Sequence, residues 1–177
     1  MQYRRASIKG GTYFFTVNLA ERQNTLLVDE MDKLRVAINK VKKQHPFKLD
    51  AMVVLPDHLH AMFTLPTDDN DYATRWMLIK AGFSRQLPRR ERINKSRLAK
   101  GERGVWQRRY WEHCIRDHKD YEKHVDYIHY NPVKHGYVRK VSDWRYSTFH
   151  DYVCKGVLNK NWGLDDDYDG LVFGERT

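Results

Sequence analysis

Cysteine is scarce in this 177-residue chain, occurring only at Cys114 and Cys154. Two cysteines cannot build the disulfide framework of a small secreted domain, so a reducing cytoplasm is the expected setting. No stretch approaches the about 18 uninterrupted apolar residues that a membrane-spanning helix needs. The opening Met1-Gln2-Tyr3-Arg4-Arg5 leads almost at once into Tyr13-Phe14-Phe15 without a small-residue cleavage site, so no signal peptide is expected. There is no internal repeat. Acidic residues are in deficit, 23 against 32 Lys and Arg, which leaves a formal charge of +9. That excess favours an anionic partner, either nucleic acid or a membrane surface.

Aromatic residues, by contrast, are plentiful at 13%. The length suits one well-buried domain and is short for two. Charge is unevenly placed. Between Arg75 and Arg109 stand twelve Lys or Arg against Glu91 and Glu102, a net +10 that leaves −1 for everything else. A surface that needed only solubility would mix the two signs, so contact with a polyanion is the preferred reading.

Aromatic and β-branched residues from Tyr13 to Leu19, after Gly10-Gly11, predict a first strand. Met31, Leu34, Ile38 and Val41 recur at helical spacing, with Asp29 as a candidate cap and His45-Pro46 at the end. Phe47 to Leu55 predicts a second strand, Pro56-Asp57 a tight connection, and His58 to Leu65 a third strand. Trp76, Ile79 and Phe83 form a helical face after Asp71. The segment 86–104 is expected to be a basic mobile loop. Val105 to Arg116 is expected to supply another strand. Asp117 is placed to cap a helix through Tyr130, stopped by Asn131-Pro132 and Gly136. A short helix near 147–153 and an acidic tail over 156–177 complete the chain, leaving 1–155 as the domain. This order predicts an α+β fold of the ferredoxin-like (RRM-like) kind, an antiparallel sheet with helices packed mainly on one face.

Chemistry concentrates in two places. His58 and His60 flank Leu59 on the third strand, so their side chains share one face and make a pair of metal ligands. Paired histidines also occur simply as polar residues on a wet sheet face. A structural zinc completed by Cys114 and Cys154 is a further option, but it lacks the close cysteine spacing of zinc modules. On the helix after Asp117, Tyr121, Val125 and Ile128 form the apolar stripe. Tyr127 lies about 120° from its centre, at 100° per residue, with Asp120, His124 and Asn131 on its side. Tyr127 is thus expected either as a surface tyrosine beside a helix end or as a reactive phenol. Two imidazoles and the Asn131 carbonyl would leave open positions on a divalent ion for a phosphate oxygen, which Tyr127 could attack.

His58-Leu59-His60 after Val54-Leu55-Pro56-Asp57, together with Val125 to Gly136, resembles the REP-associated tyrosine transposases. These are a branch of the single-tyrosine, HUH-type insertion-sequence transposases. Lys9 to Asn18, Trp106 to His113 and Ser142 to Phe149 fit the same pattern, so the resemblance runs from about Tyr3 to Val153. It implies His58 and His60 as metal ligands, Tyr127 as nucleophile and Asn131 as third ligand. Relatives outside the branch usually carry glutamine there, and His124 is the rival. It further implies Mg²⁺ or Mn²⁺ as cofactor, and cleavage and rejoining of single-stranded DNA through a 5′-phosphotyrosine. The implied substrates are REP-type hairpins with a tetranucleotide on the 5′ side. A monomer is favoured over the site-sharing dimers of insertion-sequence relatives, in a bacterial cytoplasm and associated with the nucleoid. Arg4, Arg5, Lys9, Arg108, Arg109 and Lys134 are the candidate DNA contacts. The competing expectation is a non-catalytic module that binds single strands on an open aromatic sheet face.

Overall fold

The computed structural model of the protein describes residues 8–23 and 25–164. Arg4, Arg5 and the acid-rich part of the tail lie outside them. A four-stranded antiparallel sheet comprises β1 (Thr12–Asn18), β2 (Lys48–Val54), β3 (His58–Thr64) and β4 (Trp111–Cys114), in the order β2-β3-β1-β4. Two helices, α2 (Met31–Gln44) and α3 (Tyr72–Arg85), cross between strands as the ferredoxin-like plan requires. Short helical turns α1 (Leu26–Asp29) and α4 (Lys95–Ala99) were not anticipated, and α5 (His118–Lys134) and α6 (Phe149–Cys154) follow β4. Among the described residues, no helix is long and apolar enough to cross a membrane.

Alternation along the strands sorts the side chains into two layers. Phe15, Val17, Leu59, Ala61 and Phe63 join Leu34, Ile38, Trp76, Ile79 and Phe83 in the main core under α2 and α3. Phe14, Ala51, Val53 and Met62 point the other way and meet Val125, Tyr127 and Ile128 of α5. Helix α5 therefore roofs the second face, the one that carries the histidines. An open aromatic face for stacking bases is absent among the described residues, since Tyr13, Phe14, Phe15 and Phe63 are wholly buried. The non-catalytic binding module loses its platform on that count.

Two local expectations need correcting. Asp29 does not cap α2: it belongs to α1, where it accepts from Thr25 Oγ1, and Glu30 occupies the cap position without a side-chain bond. Nor does Asn131-Pro132 stop α5, which continues to Lys134 with Pro132 inside it. Proline removes one N–H, but the amides that follow it still reach back, and His135 N donates to Asn131 O at 3.0 Å. The helix ends instead at Gly136 (φ +71°), where Gly136 N donates to Val133 O and Tyr137 N to Pro132 O. This left-handed glycine closure satisfies the last carbonyls. The cap at Asp117 is as expected, accepting from Asp120 N, and Asp71 caps α3 in the same way, accepting from Thr74 N.

The basic segment spends much of its charge internally. Arg75, buried, donates to the carbonyls of His45, Pro46 and Asp71 and to the Asp69 carboxylate. Arg103 pairs with Glu91 and reaches the Ser84 and Leu87 carbonyls, while Arg97 holds those of Arg103 and Trp106. Lys80 donates to Gln107 O at 2.6 Å, and burial lowers its ammonium to about 8. The segment 86–104 thus holds more structure than its composition suggests. Arg85, Arg89, Arg90, Arg92, Lys95, Lys100 and Arg109 remain exposed.

Candidate active site

The tight Pro56-Asp57 connection delivers His58 to the first position of β3, and the strand's pleat brings His60 to the same face. Their rings lie 5.0 Å apart, centroid to centroid, and they are 1% and 0% exposed. They are not stranded in an apolar core. His58 Nδ1 donates to Asp57 Oδ1 at 2.6 Å, and Asp57 Oδ2 also accepts from Arg22 Nε. Burial would raise the Asp57 carboxyl, but the His58 and Arg22 contacts outweigh it and hold the group below its ordinary range. His60 Nδ1 lies 2.9 Å from Thr16 Oγ1, its cross-strand neighbour in the β1–β3 register.

Fixing Nδ1 of His58 as a donor leaves Nε2 with the lone pair. That nitrogen is buried and has no hydrogen-bond partner among the described residues. A buried acceptor without a donor is costly unless something else satisfies it, and a cation does so. A carboxylate behind a ligating imidazole is the usual way a protein fixes tautomer and ring orientation at a metal. The donor set fits a divalent ion.

Tyr127 reaches the same place from α5. It is 2% exposed, with its ring 5.2 Å from that of His60 and 5.9 Å from Phe14. The surface alternative for this tyrosine is therefore wrong. The side of α5 that looked polar, with Asp120, His124, Tyr127 and Asn131, is buried against the sheet. Ring contacts show how the helix travels. His124 lies against Phe14 and His113, Tyr127 against Phe14 and His60, and His135 against His58 at 5.4 Å. Asn131, fully buried, falls on the stretch of α5 between Tyr127 and His135.

His124 has other company. Its Nδ1 donates to Asp120 O at 2.7 Å, and its ring stacks on His113 at 4.7 Å with only 13° between planes. His113, Asp120 and His124 form a compact His-Asp-His group at the β4 end of the helix. Parallel imidazoles aim their in-plane lone pairs along separate planes, which suits a hydrogen-bonded stack better than shared ligation. Asp120 Oδ2 is already taken by His113 Nε2 at 2.8 Å and by the Arg116 amide. Burial would raise the Asp120 carboxyl, yet these contacts bring it down to about 2. Cys114 is half-buried and Cys154 exposed, and neither joins a metal-type cluster with the histidines among the described residues.

A family profile described as IS200-like transposase matches residues 8–131. The chain belongs to that family. A REP-associated tyrosine transposase of Escherichia coli K12 is 49% identical over 164 residues, covering 93% of this chain and 92% of that one. An inferred REP-associated tyrosine transposase of Haemophilus influenzae is 47% identical over 166 residues, covering 93% and 94%. The solved structure of a REP-associated tyrosine transposase bound to a REP hairpin superposes with a TM-score of 0.82 at 46% identity, covering 100% of this chain and 98% of the other. This chain is a REP-associated tyrosine transposase by family, and an enzyme.

Within this transposase several site residues escaped the sequence reading. Asp57 counted only as a turn residue, although a carboxylate beside a candidate ligand is a signal in its own right. His135 was passed over, and its ring meets His58 at the mouth of the site. Among the candidate DNA contacts, Lys9 and Arg109 are exposed, while Arg108 is drawn to Glu102 at 2.7 Å. Lys134 is not a simple surface cation. Its Nζ lies 3.4 Å from the Tyr127 hydroxyl and 4.6 Å from that ring's centroid.

Proposed function

We propose that the protein cleaves and rejoins single-stranded DNA at REP-type hairpins through a covalent 5′-phosphotyrosine on Tyr127. The observation that carries this reading is the Tyr127 ring 5.2 Å from His60, beside a His58 whose Nε2 has no hydrogen-bond partner. His58, His60 and Asn131 would hold the cation. A bound Mg²⁺ or Mn²⁺ polarises the phosphoryl oxygen and aligns the reacting groups. Because two imidazoles and an amide are neutral and softer than Mg²⁺ prefers, Mn²⁺ is expected to serve at least as well.

The chain's own residues do the rest. Asp57, anchored by Arg22, and Thr16 orient the two imidazoles. Phe14 and His60 wall the Tyr127 ring and fix its orientation. Tyr127 Oη bonds to phosphorus as the P–O3′ bond breaks. The 3′ strand leaves as a hydroxyl and the 5′ phosphate stays on the protein. A second 3′-hydroxyl reverses the exchange, so joining needs no nucleotide cofactor.

The similar structure bound to a REP hairpin supports a hairpin as substrate here, and a tetranucleotide on its 5′ side belongs to the same proposal. Exposed cations of the 86–104 segment, with Lys9 and Arg109, supply a backbone-binding rim. Tyr127, His58 and His60 meet within one chain, which supports a working monomer. A DNA substrate places the protein in the cytoplasm at the nucleoid.

The test is incubation with Mn²⁺ and palindromic oligonucleotides, followed by denaturing electrophoresis and mass mapping of the attached residue. Tyr127→Phe is expected to abolish the adduct and keep hairpin affinity, whereas Tyr121→Phe and Tyr130→Phe retain the adduct. Attachment at Tyr130 instead would overturn the assignment.

A further inference from the structure

Lys134 stands two helical turns beyond Tyr127 on α5, in the last turn before the Gly136 closure. A lysine there ordinarily extends into solvent or turns toward the last carbonyls, where its charge complements the helix dipole. Here it does neither by default. Helical side chains lean toward the N-terminus, so a residue at i+7 with a long stem can fold back along its own face. The Lys134 stem does this, carrying Nζ to 3.4 Å from Tyr127 Oη. The same ammonium lies 4.6 Å from the ring centroid, so it approaches from above and toward the hydroxyl end. Phe14 and His60 meet the phenol ring edge-on.

We propose that Lys134 is a catalytic residue whose ammonium stays on the Tyr127 oxygen through both directions of strand exchange. The proposal rests on Tyr127 being the nucleophile and goes beyond it by assigning its charge partner. In cleavage, the phenolic proton passes to solvent water and the O–P bond forms while Nζ–H holds the developing negative oxygen. The P–O3′ bond breaks, and the departing oxygen takes a proton from water. In rejoining, an incoming 3′-hydroxyl gives its proton to water as its oxygen bonds to phosphorus and the bond to Tyr127 Oη breaks. Lys134 holds the departing phenolate until it takes a proton from water. One donor thereby serves as nucleophile stabiliser and leaving-group stabiliser, as microscopic reversibility demands. An ammonium placed before the reaction on the atom whose charge changes needs no reorganisation as that charge develops.

The experiment compares wild type, Lys134→Gln, Lys134→Arg and Tyr127→Phe on a REP-type hairpin oligonucleotide with Mn²⁺, in single turnover at saturating protein. Lys134→Gln is expected to slow adduct formation about 100-fold or more, the range for loss of one charge-stabilising donor. Rejoining from the isolated adduct should slow as well, and Lys134→Arg should recover most of both rates. Hairpin affinity, measured for Tyr127→Phe against Tyr127→Phe/Lys134→Gln, should be unchanged, which also shows that the variant folds. A substrate with sulfur at the bridging 3′ position leaves without assistance, and it should not rescue Lys134→Gln. Wild-type rates in Lys134→Gln, a loss confined to affinity, or rescue by the sulfur substrate would each overturn the proposal. Adduct formation by Tyr127→Phe would instead overturn the nucleophile assignment beneath it.

Discussion

Two histidine groups lie under α5, and they are built to opposite ends. At the β4 end, His113, Asp120 and His124 bond to one another, their rings stacked and the carboxylate claimed by His113 and Arg116. At the other end, His58 and His60 each turn one nitrogen toward a protein partner, and His58 Nε2 is left over. His124 is as deeply buried as His58 and His60, and only His113 is half-buried, so burial alone does not distinguish structure from function. The distinction lies in how the rings and the carboxylate are used. Asp120 ties two stacked imidazoles and Arg116 to one another, whereas of its two imidazoles Asp57 backs His58 alone and the His58 and His60 rings stand 86° apart.

Substitutions can break that comparison. The largest effect is expected from His58→Ala/His60→Ala, which should lose calorimetric Mn²⁺ binding and drop adduct formation to background, while His113→Ala keeps both. Metal binding that survived the first and vanished with the second would invert the two roles. Next, Asp57→Asn should weaken Mn²⁺ affinity by about 10–100-fold with the fold intact by circular dichroism, as loss of a supporting carboxylate does.

Asp120→Ala should act on stability instead, costing about 1–3 kcal/mol in urea titrations because buried donors lose their acceptor, with Mn²⁺ affinity unchanged. The sign of its pH dependence follows from a folded value of about 2, depressed from an ordinary aspartate near 3.9. Such a group stabilises the fold fully above the ordinary value, and its contribution is lost as pH falls through the depressed one. Wild type should therefore lose this increment between about pH 4 and pH 2, and Asp120→Ala should lack that part of the acid transition. The smallest effect belongs to the rim. Arg109→Ala should weaken hairpin binding evenly across sequences and reduce the salt slope by about one.

Much of this architecture was legible. The strands carry alternating apolar residues with turns at Pro56-Asp57, and Asp71 and Asp117 announce helices that begin where predicted. The burial of Tyr127 was hidden because hydropathy assigns Asp120, His124 and Asn131 to solvent. Those groups meet a mixed sheet face, where Phe14 packs on His124 and Tyr127 beside the polar Thr16, His58 and His60. Pairing of that kind depends on residues distant in sequence, such as Thr16 with His60. Part of the excess charge has a second use that composition does not show. Arg75, Arg97 and Arg103 read as surface cations, yet each is consumed by backbone carbonyls that only the folded chain brings near.

That α5 runs unbroken through Pro132 fixes an arithmetic on the chain. Adding or deleting one residue between Tyr127 and Asn131 would swing everything downstream by about 100° around the axis. The amide of Asn131 and the Lys134 ammonium would both be carried off the shared meridian, though no side chain had been altered. Point changes in this stretch can be graded, but changes in its length are all-or-nothing, and the spacing itself is part of the active site.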